Sequence, residues 1–200
     1  MNSRTRFIVA AIVAAGVAFA LDPWAYRHIV YARVYEQDWG RFLRVMGFLP
    51  TWLIAAFALW LHERGAVSAA RQRALLLAGS PVLSGITGEL LKLLLRRERP
   101  EAHHGAYFFR SFSDRPFSSS GLALPSSHAI VAFGAAAMLA HLFPRARWVW
   151  FALATGCALT RVLARAHFLS DTVVAALLAL ATTAWLWRRF VSAANRSAAA

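Results

Sequence analysis

The stretch LPSSHAIVAFGAAAMLA, residues 124–140, decides the fold class. From Ala129 onward every residue is apolar or small, as in a segment that crosses a bilayer. Yet it opens on Pro125, Ser126, Ser127 and His128. Proline suits the first turn of a helix, where its missing N–H would have gone unsatisfied. The pattern predicts an apolar helix starting at Pro125, with two hydroxyls and an imidazole at its N-terminus. A helix N-terminus attracts anions through its free N–H groups and its dipole. Alternatively, the motif is a helix cap followed by an interfacial histidine.

Similar apolar runs recur at about 7–21, 45–61, 74–95, 148–163 and 172–187, with the present one at about 125–143. The chain has 200 residues, 59% hydrophobic and 16% charged. Its mean hydropathy is +0.49. This composition predicts an all-α polytopic helical bundle of six transmembrane helices, one membrane domain over residues 1–200. Trp24, Trp39, Trp148, Trp185 and Trp187 lie near the ends of apolar runs, where aromatic belts form. Residues 22–44 read as an amphipathic, interfacial segment. The N-terminus, with Arg4 and Arg6 before an apolar run and Ala18-Phe19-Ala20 after it, reads either as a cleavable signal or as an uncleaved first span. The uncleaved span is expected, because cleavage would remove one helix of a compact bundle.

The formal net charge is +13. In a soluble protein this would suggest nucleic acid. Here the cations cluster between apolar runs, so anionic headgroups are the expected partners and nucleic acid is not. With the N-terminus inside, ten Lys and Arg fall on inner segments and twelve on outer ones, against the positive-inside rule. Some outer cations therefore need another role. Cys157, the single cysteine, permits no intramolecular disulfide and reads as a packing residue.

Two further segments carry chemistry. In GELLKLLLRRERP, residues 88–100, Lys92 sits near the end of an apolar helix and must face the protein interior or snorkel. With Arg96, Arg97 and Arg99 it forms either an interfacial basic cluster or an anion site of point charge and planar forks. In TRVLARAHFLSD, residues 160–171, His167 and Asp171 are four apart and share a face if helical. The carboxylate would then fix one imidazole tautomer and free the other nitrogen as nucleophile or base. Arg165 reads as no more than a headgroup contact. The rival reading is an interfacial His-Asp pair.

With six spans, these segments meet on one membrane side, so Lys92, Arg99, Ser126, Ser127, His128, Arg161, His167 and Asp171 can converge. A cationic pocket with two histidines and a carboxylate points to phosphoryl chemistry. The motifs Lys92…Arg99-Pro100, Pro125-Ser126-Ser127-His128 and Thr160-Arg161…His167…Asp171 match in order and spacing the signature of the type-2 phosphatidic acid phosphatase superfamily. The resemblance covers about 74–187, the expected phosphatase core, and departs from the pattern at Ser127 (glycine in the family) and Thr160 (serine). Ser127 is expected in a first helical turn, where no positive φ is needed.

The resemblance implies that His167 attacks phosphorus, that Asp171 orients it, and that His128 protonates the leaving oxygen. Lys92, Arg99, Arg161, Ser126 and Ser127 would hold the phosphate oxygens. It implies a lipid phosphate substrate such as undecaprenyl diphosphate, phosphatidylglycerophosphate, phosphatidic acid or a lipid A phosphate, and no cofactor. A metal is not expected either, and His103-His104 read as part of a polar loop. A lipid phosphotransferase and a non-catalytic lipid-phosphate binder are the alternatives. The expected location is the bacterial inner membrane, with the site facing outward. Loop residues 101–124, rich in aromatics, read as a lid or as a connector anchored at the interface.

Overall fold

The computed structural model describes residues 2–62 and 67–197. Among these the chain is helical: α1 (Ser3–His28), α2 (Asp38–Val45), α3 (Leu49–His62), α4 (Val67–Leu95), α5 (Ser127–Leu142), α6 (Arg147–Leu163) and α7 (Leu169–Ser197), with short 3₁₀ turns between some of them. Two isolated bridges, Arg97 with Phe109 and Glu98 with Leu122, pin the long loop between α4 and α5.

Among the described residues, three segments are long and apolar enough to cross a membrane: Thr5–His28, Arg71–Leu95 and Leu169–Phe190. A fourth exists if α2 and α3, bent by 64°, count as one span. Six spans were expected. The helices α5 and α6 occur where the sequence places them, but have only 16 and 17 residues. At 1.5 Å per residue α5 rises about 24 Å, short of the ~30 Å hydrocarbon layer.

Two boundaries differ from expectation. Helix α1 does not stop at residue 21 to leave an interfacial segment; it runs through Asp22 and Pro23 to His28. Asp22 is buried against polar partners, so its charge does not force the chain to the surface. Pro23 removes the N–H that would bond Phe19 O, and the Tyr107 hydroxyl reaches that carbonyl at 3.4 Å. At α5, Pro125 is not in the first turn. Ser126 is the N-cap and Ser127 the first helical residue.

Helix α5 is the hub, packed against α4, α6 and α7. Its Ala129, Ala132, Ala135, Ala136 and Ala137 are buried and let the neighbouring helices come close. At Gly134 an added Cβ would lie 2.8 Å from Ser84 Oγ. Beside it, Ser80 Oγ donates to Gly134 O at 2.7 Å, while Ser80 pairs with Thr183 and Ser84 with Thr182, both at 2.7 Å. Polar pairs between small residues hold α4, α5 and α7 together where lipid offers no hydrophobic drive. By contrast α1 turns Phe7, Ile8, Ile12, Val13 and Val17 outward, an apolar face suited to lipid.

Candidate active site

The site forms where the C-terminal ends of α4 and α6 meet the N-terminal ends of α5 and α7. Helix α5 makes its first helical bond from Ile130 N–H to Ser126 O. The N–H groups of Ser127, His128 and Ala129 thus have no intrahelical acceptor. The Ser126 N–H donates to Asp171 O at 3.1 Å, which ties the starts of α5 and α7 together.

Lys92, only 5% exposed, stands on the last turn of α4. Its Nζ donates to Ser127 Oγ and, at 3.2 Å, to Glu89 Oε1. Ser127 Oγ in turn donates to Glu89 Oε1 at 2.6 Å. Ser127 is in the first helical turn with no positive φ, as expected. Its hydroxyl is engaged by Lys92 and Glu89.

Arg161, buried near the end of α6, donates from Nη1 to the Tyr35 hydroxyl at 2.7 Å. That hydroxyl donates to Thr160 O at 3.2 Å. Arg99 lies close enough to Lys92 and Arg161 to act on both electrostatically. Among the described residues, Ser126 Oγ, Arg99 Nε and Arg161 Nε are buried with no hydrogen-bond partner. Buried donors are rarely left unmatched, so these atoms are free to meet an anion.

His167 lies between α6 and α7, after a turn in which Arg165 takes φ 54. The pair with Asp171 is therefore not on one helix face, as the four-residue spacing suggested. Nδ1 lies 3.0 Å from Ala123 O and 3.5 Å from Asp171 Oδ2. A carbonyl only accepts, so Nδ1 carries the proton and the neutral ring keeps its lone pair on Nε2. Burial pushes the imidazole down to about 4, against the opposing pull of Asp171, so the ring is neutral at pH 7. Asp171 is the third residue of α7, and its Oδ2 accepts from the Phe168 N–H at 2.7 Å, one half of a capping box. Its Oδ1 accepts from Arg97. His128 sits one residue into α5, within electrostatic reach of His167, Arg161 and Lys92.

Arg96 and Arg97, read as part of a basic cluster, are neither interfacial nor free for an anion. Arg96 closes α4 at φ 55, and its guanidinium donates to the carbonyls of Arg110, Ser111, Asp114 and Pro116. It is the inner frame of the α4–α5 loop. Arg97 is buried against Asp171, Ser170 Oγ at 2.7 Å and, at 3.9 Å, Asp22. Arg165 stacks its guanidinium 4.5 Å from the Tyr26 ring rather than reaching outward. His103 pairs with Glu98 at 2.7 Å and stacks on Phe108. Of the loop aromatics, Phe108, Phe109, Phe112 and Phe117 are exposed, Phe117 by 92%. Tyr107 is exposed too, yet its hydroxyl turns in to donate to Asp22 Oδ2 at 2.7 Å.

Sequence reasoning did not single out Glu89, Asp22, Ser170, Tyr35 or Gly47. Glu89 carried a signal, a carboxylate three residues before Lys92 in an apolar helix. Asp22 carried another, a charge next to Pro23 at the end of an apolar run. Tyr35, Gly47 and Ser170 gave none, because their roles depend on packing between distant elements.

A membrane helical bundle with a cationic, donor-rich cradle beside two histidines is the class of protein defined here. A family model described as the PAP2 superfamily matches residues 73–194, more than half of the chain, and the chain belongs to that superfamily. It is 37% identical over 106 residues to a Lipid A 1-phosphatase of Rhizobium johnstonii, covering 52% of this chain and 41% of that one. It is 36% identical over 94 residues to a Lipid A 1-phosphatase of Rhizobium etli, covering 46% and 39%. The matches thus span about two fifths of these relatives' length. No solved structure matches the chain.

Proposed function

We propose that this chain is an integral-membrane lipid phosphate phosphatase working through a phosphohistidine. The observation that carries the reading is the set of buried, unpartnered donors at Ser126, Arg99 and Arg161 beside Lys92 and a neutral His167. His167 Nε2 attacks phosphorus, the bond from phosphorus to the lipid oxygen breaks, and His128 gives that oxygen its proton. Water then attacks phosphorus, His128 takes a proton from it, the P–N bond breaks, and inorganic phosphate leaves. Lys92, Arg99, Arg161 and the start of α5, including Ser126 and Ser127, hold the equatorial oxygens. Asp171 fixes the start of α7 and, near Nδ1, stabilises the positive ring. The segment 74–187 is the catalytic core.

The named relatives favour a phosphate on a lipid A type glycolipid; the other lipid phosphates considered above stand behind it. The site faces outward from the bacterial inner membrane, with six helices crossing. Helix α5 is lined by protein rather than lipid, so 16 residues suffice for it. No step is assigned to a metal.

The test is phosphate release by detergent-purified protein from a panel of lipid phosphates and diphosphates, with His167→Ala as control. Release that is lost in the variant and survives EDTA supports the reading. Loss with EDTA overturns the metal-free scheme. No release from any lipid overturns the hydrolase reading.

A further inference from the structure

A cavity of about 1020 Å³ lies at the end of the bundle opposite the phosphate cradle. The cradle uses the start of α5, whereas the cavity is bordered by the last residues of α5, the start of α6, the far half of α7 and Phe7 and Ile8 of α1. The shortness of α5 explains it. That helix ends at Leu142, while α7 continues to Ser197. The space beyond α5 is floored by small side chains, Ala140 and Ala184 among them, and stays open.

The lining is apolar apart from Thr183 and a basic group, Arg147, Arg188, Arg189 and His141, with no Asp or Glu among the described residues. The three arginines are exposed. Their described contacts are with rings and a carbonyl, not with carboxylates. Arg147 lies 4.9 Å over Trp148, Arg189 lies 6.0 Å over Trp185, and Arg188 Nε donates to Ala184 O at 3.1 Å. His141 stacks on Trp187 with ring centres 4.6 Å apart. Three guanidiniums facing one cleft repel each other until an anion joins them. Tryptophans around them mark headgroup depth. An apolar floor under a cationic rim fits one kind of occupant, a molecule with a phosphate head and hydrocarbon tails.

We propose that this cleft binds one anionic phospholipid, its phosphate among Arg147, Arg188 and Arg189 and an acyl chain along the alanine floor. The site is separate from the phosphatase site, since it occupies the other end of α5. It does not depend on the catalytic reading.

The experiment is native mass spectrometry of the detergent-solubilised full chain titrated with dioleoyl-phosphatidylglycerol or dioleoyl-phosphatidylcholine. One phosphatidylglycerol adduct is expected, favoured about tenfold over phosphatidylcholine. The preference should vanish when Arg147, Arg188 and Arg189 are all changed to Gln, exposed positions where folding is not at stake. It should also fall in Ala184→Phe, which fills the floor and keeps every charge. His167→Ala should keep it. Equal adducts of both lipids, or an unchanged preference in the triple variant, would overturn the proposal. Full retention in Ala184→Phe would reduce the effect to surface charge and overturn the cleft. Loss of the adduct in His167→Ala would place the lipid in the phosphatase site instead.

Discussion

Asp22 on α1 and Asp171 on α7 share one buried guanidinium, that of Arg97. Arg97 Nη2 bonds Asp171 Oδ1, and Nη1 lies 3.9 Å from Asp22 Oδ2. Ser170 bridges the two sides: its N–H and Oγ donate to Asp22 at 2.8 and 2.5 Å, and its Oγ accepts from Arg97 at 2.7 Å. The rings of Phe19, Tyr107 and Phe168 enclose the guanidinium at about 5 Å. Helix α1 lies outside the family match, yet its Asp22 ties down Ser170 at the start of α7, next to Asp171.

Removing the Asp22 carboxylate leaves the buried Ser170 N–H and hydroxyl and the Tyr107 hydroxyl without their acceptor, at a combined cost of about 3–5 kcal/mol. Asp22→Ala is therefore expected to destabilise the protein by that order and to lower phosphate release. Asp22→Asn keeps an acceptor for the Ser170 N–H and should fold with a smaller loss. Tyr107→Phe, which removes one hydrogen bond, should cost about 1 kcal/mol. Thermal unfolding in detergent, read beside lipid phosphate release, checks the ranking.

Gly47 closes the turn between α2 and α3 against His128. A Cβ there would lie 2.6 Å from both His128 Cβ and His128 O, and 2.7 Å from its Cα. Neither backbone can yield without moving the start of α5. Gly47→Ala is expected to shift His128 and lower kcat by about 100-fold, the scale of general acid catalysis. Gly156→Ala, whose Cβ would meet only the flexible Leu43 tip at 2.7 Å, should be milder. Steady-state kinetics of the two variants give the comparison.

The apolar runs made the helices legible, because hydropathy alone marks each one. That Lys92, Arg99, Ser126, His128, Arg161, His167 and Asp171 come together was legible through motif spacing, which survives without knowledge of packing. Span number was not: six apolar runs suggested six spans, whereas among the described residues three helices are long and apolar enough, or four with the bent pair, because apolar composition does not fix helix length. Nor was the acceptor for His167 Nδ1. Ala123 O supplies it, and a backbone carbonyl leaves no trace in residue identity. Asp22 was misplaced at an interface because a lone carboxylate ending an apolar run reads as a boundary until its partners, distant in sequence, are known.

The pH profile follows from His167. Burial lowers its folded value from the usual 6.5 to about 4, so the ring stays neutral well below pH 6, as the proposed nucleophile must. After division by the substrate's own phosphate ionisation, measured by ³¹P NMR, the acid limb of kcat/KM should fall near pH 4. A limb near 6.5 would contradict the buried site. Stability follows the same sign. A lowered histidine contributes fully above pH 6.5, and that contribution is lost as pH falls from 6.5 towards 4.

Ser127 stands where the family has glycine, and its hydroxyl sits between Lys92 and Glu89. Ser127→Gly removes that bridge but leaves Lys92 its 3.2 Å contact with Glu89 and leaves the N–H groups of α5 in place. The loss is two hydrogen bonds at a half-buried position, one from Lys92 and one to Glu89, so kcat/KM is expected to stay within about tenfold. Lys92→Ala is different, because it removes a buried charge that the proposed reading sets against the phosphate. Its kcat/KM should fall by about 100-fold or more, the scale of losing one preorganised oxyanion contact. If Ser127→Gly matched Lys92→Ala in severity, the hydroxyl itself would be a phosphate ligand rather than a spacer for the lysine.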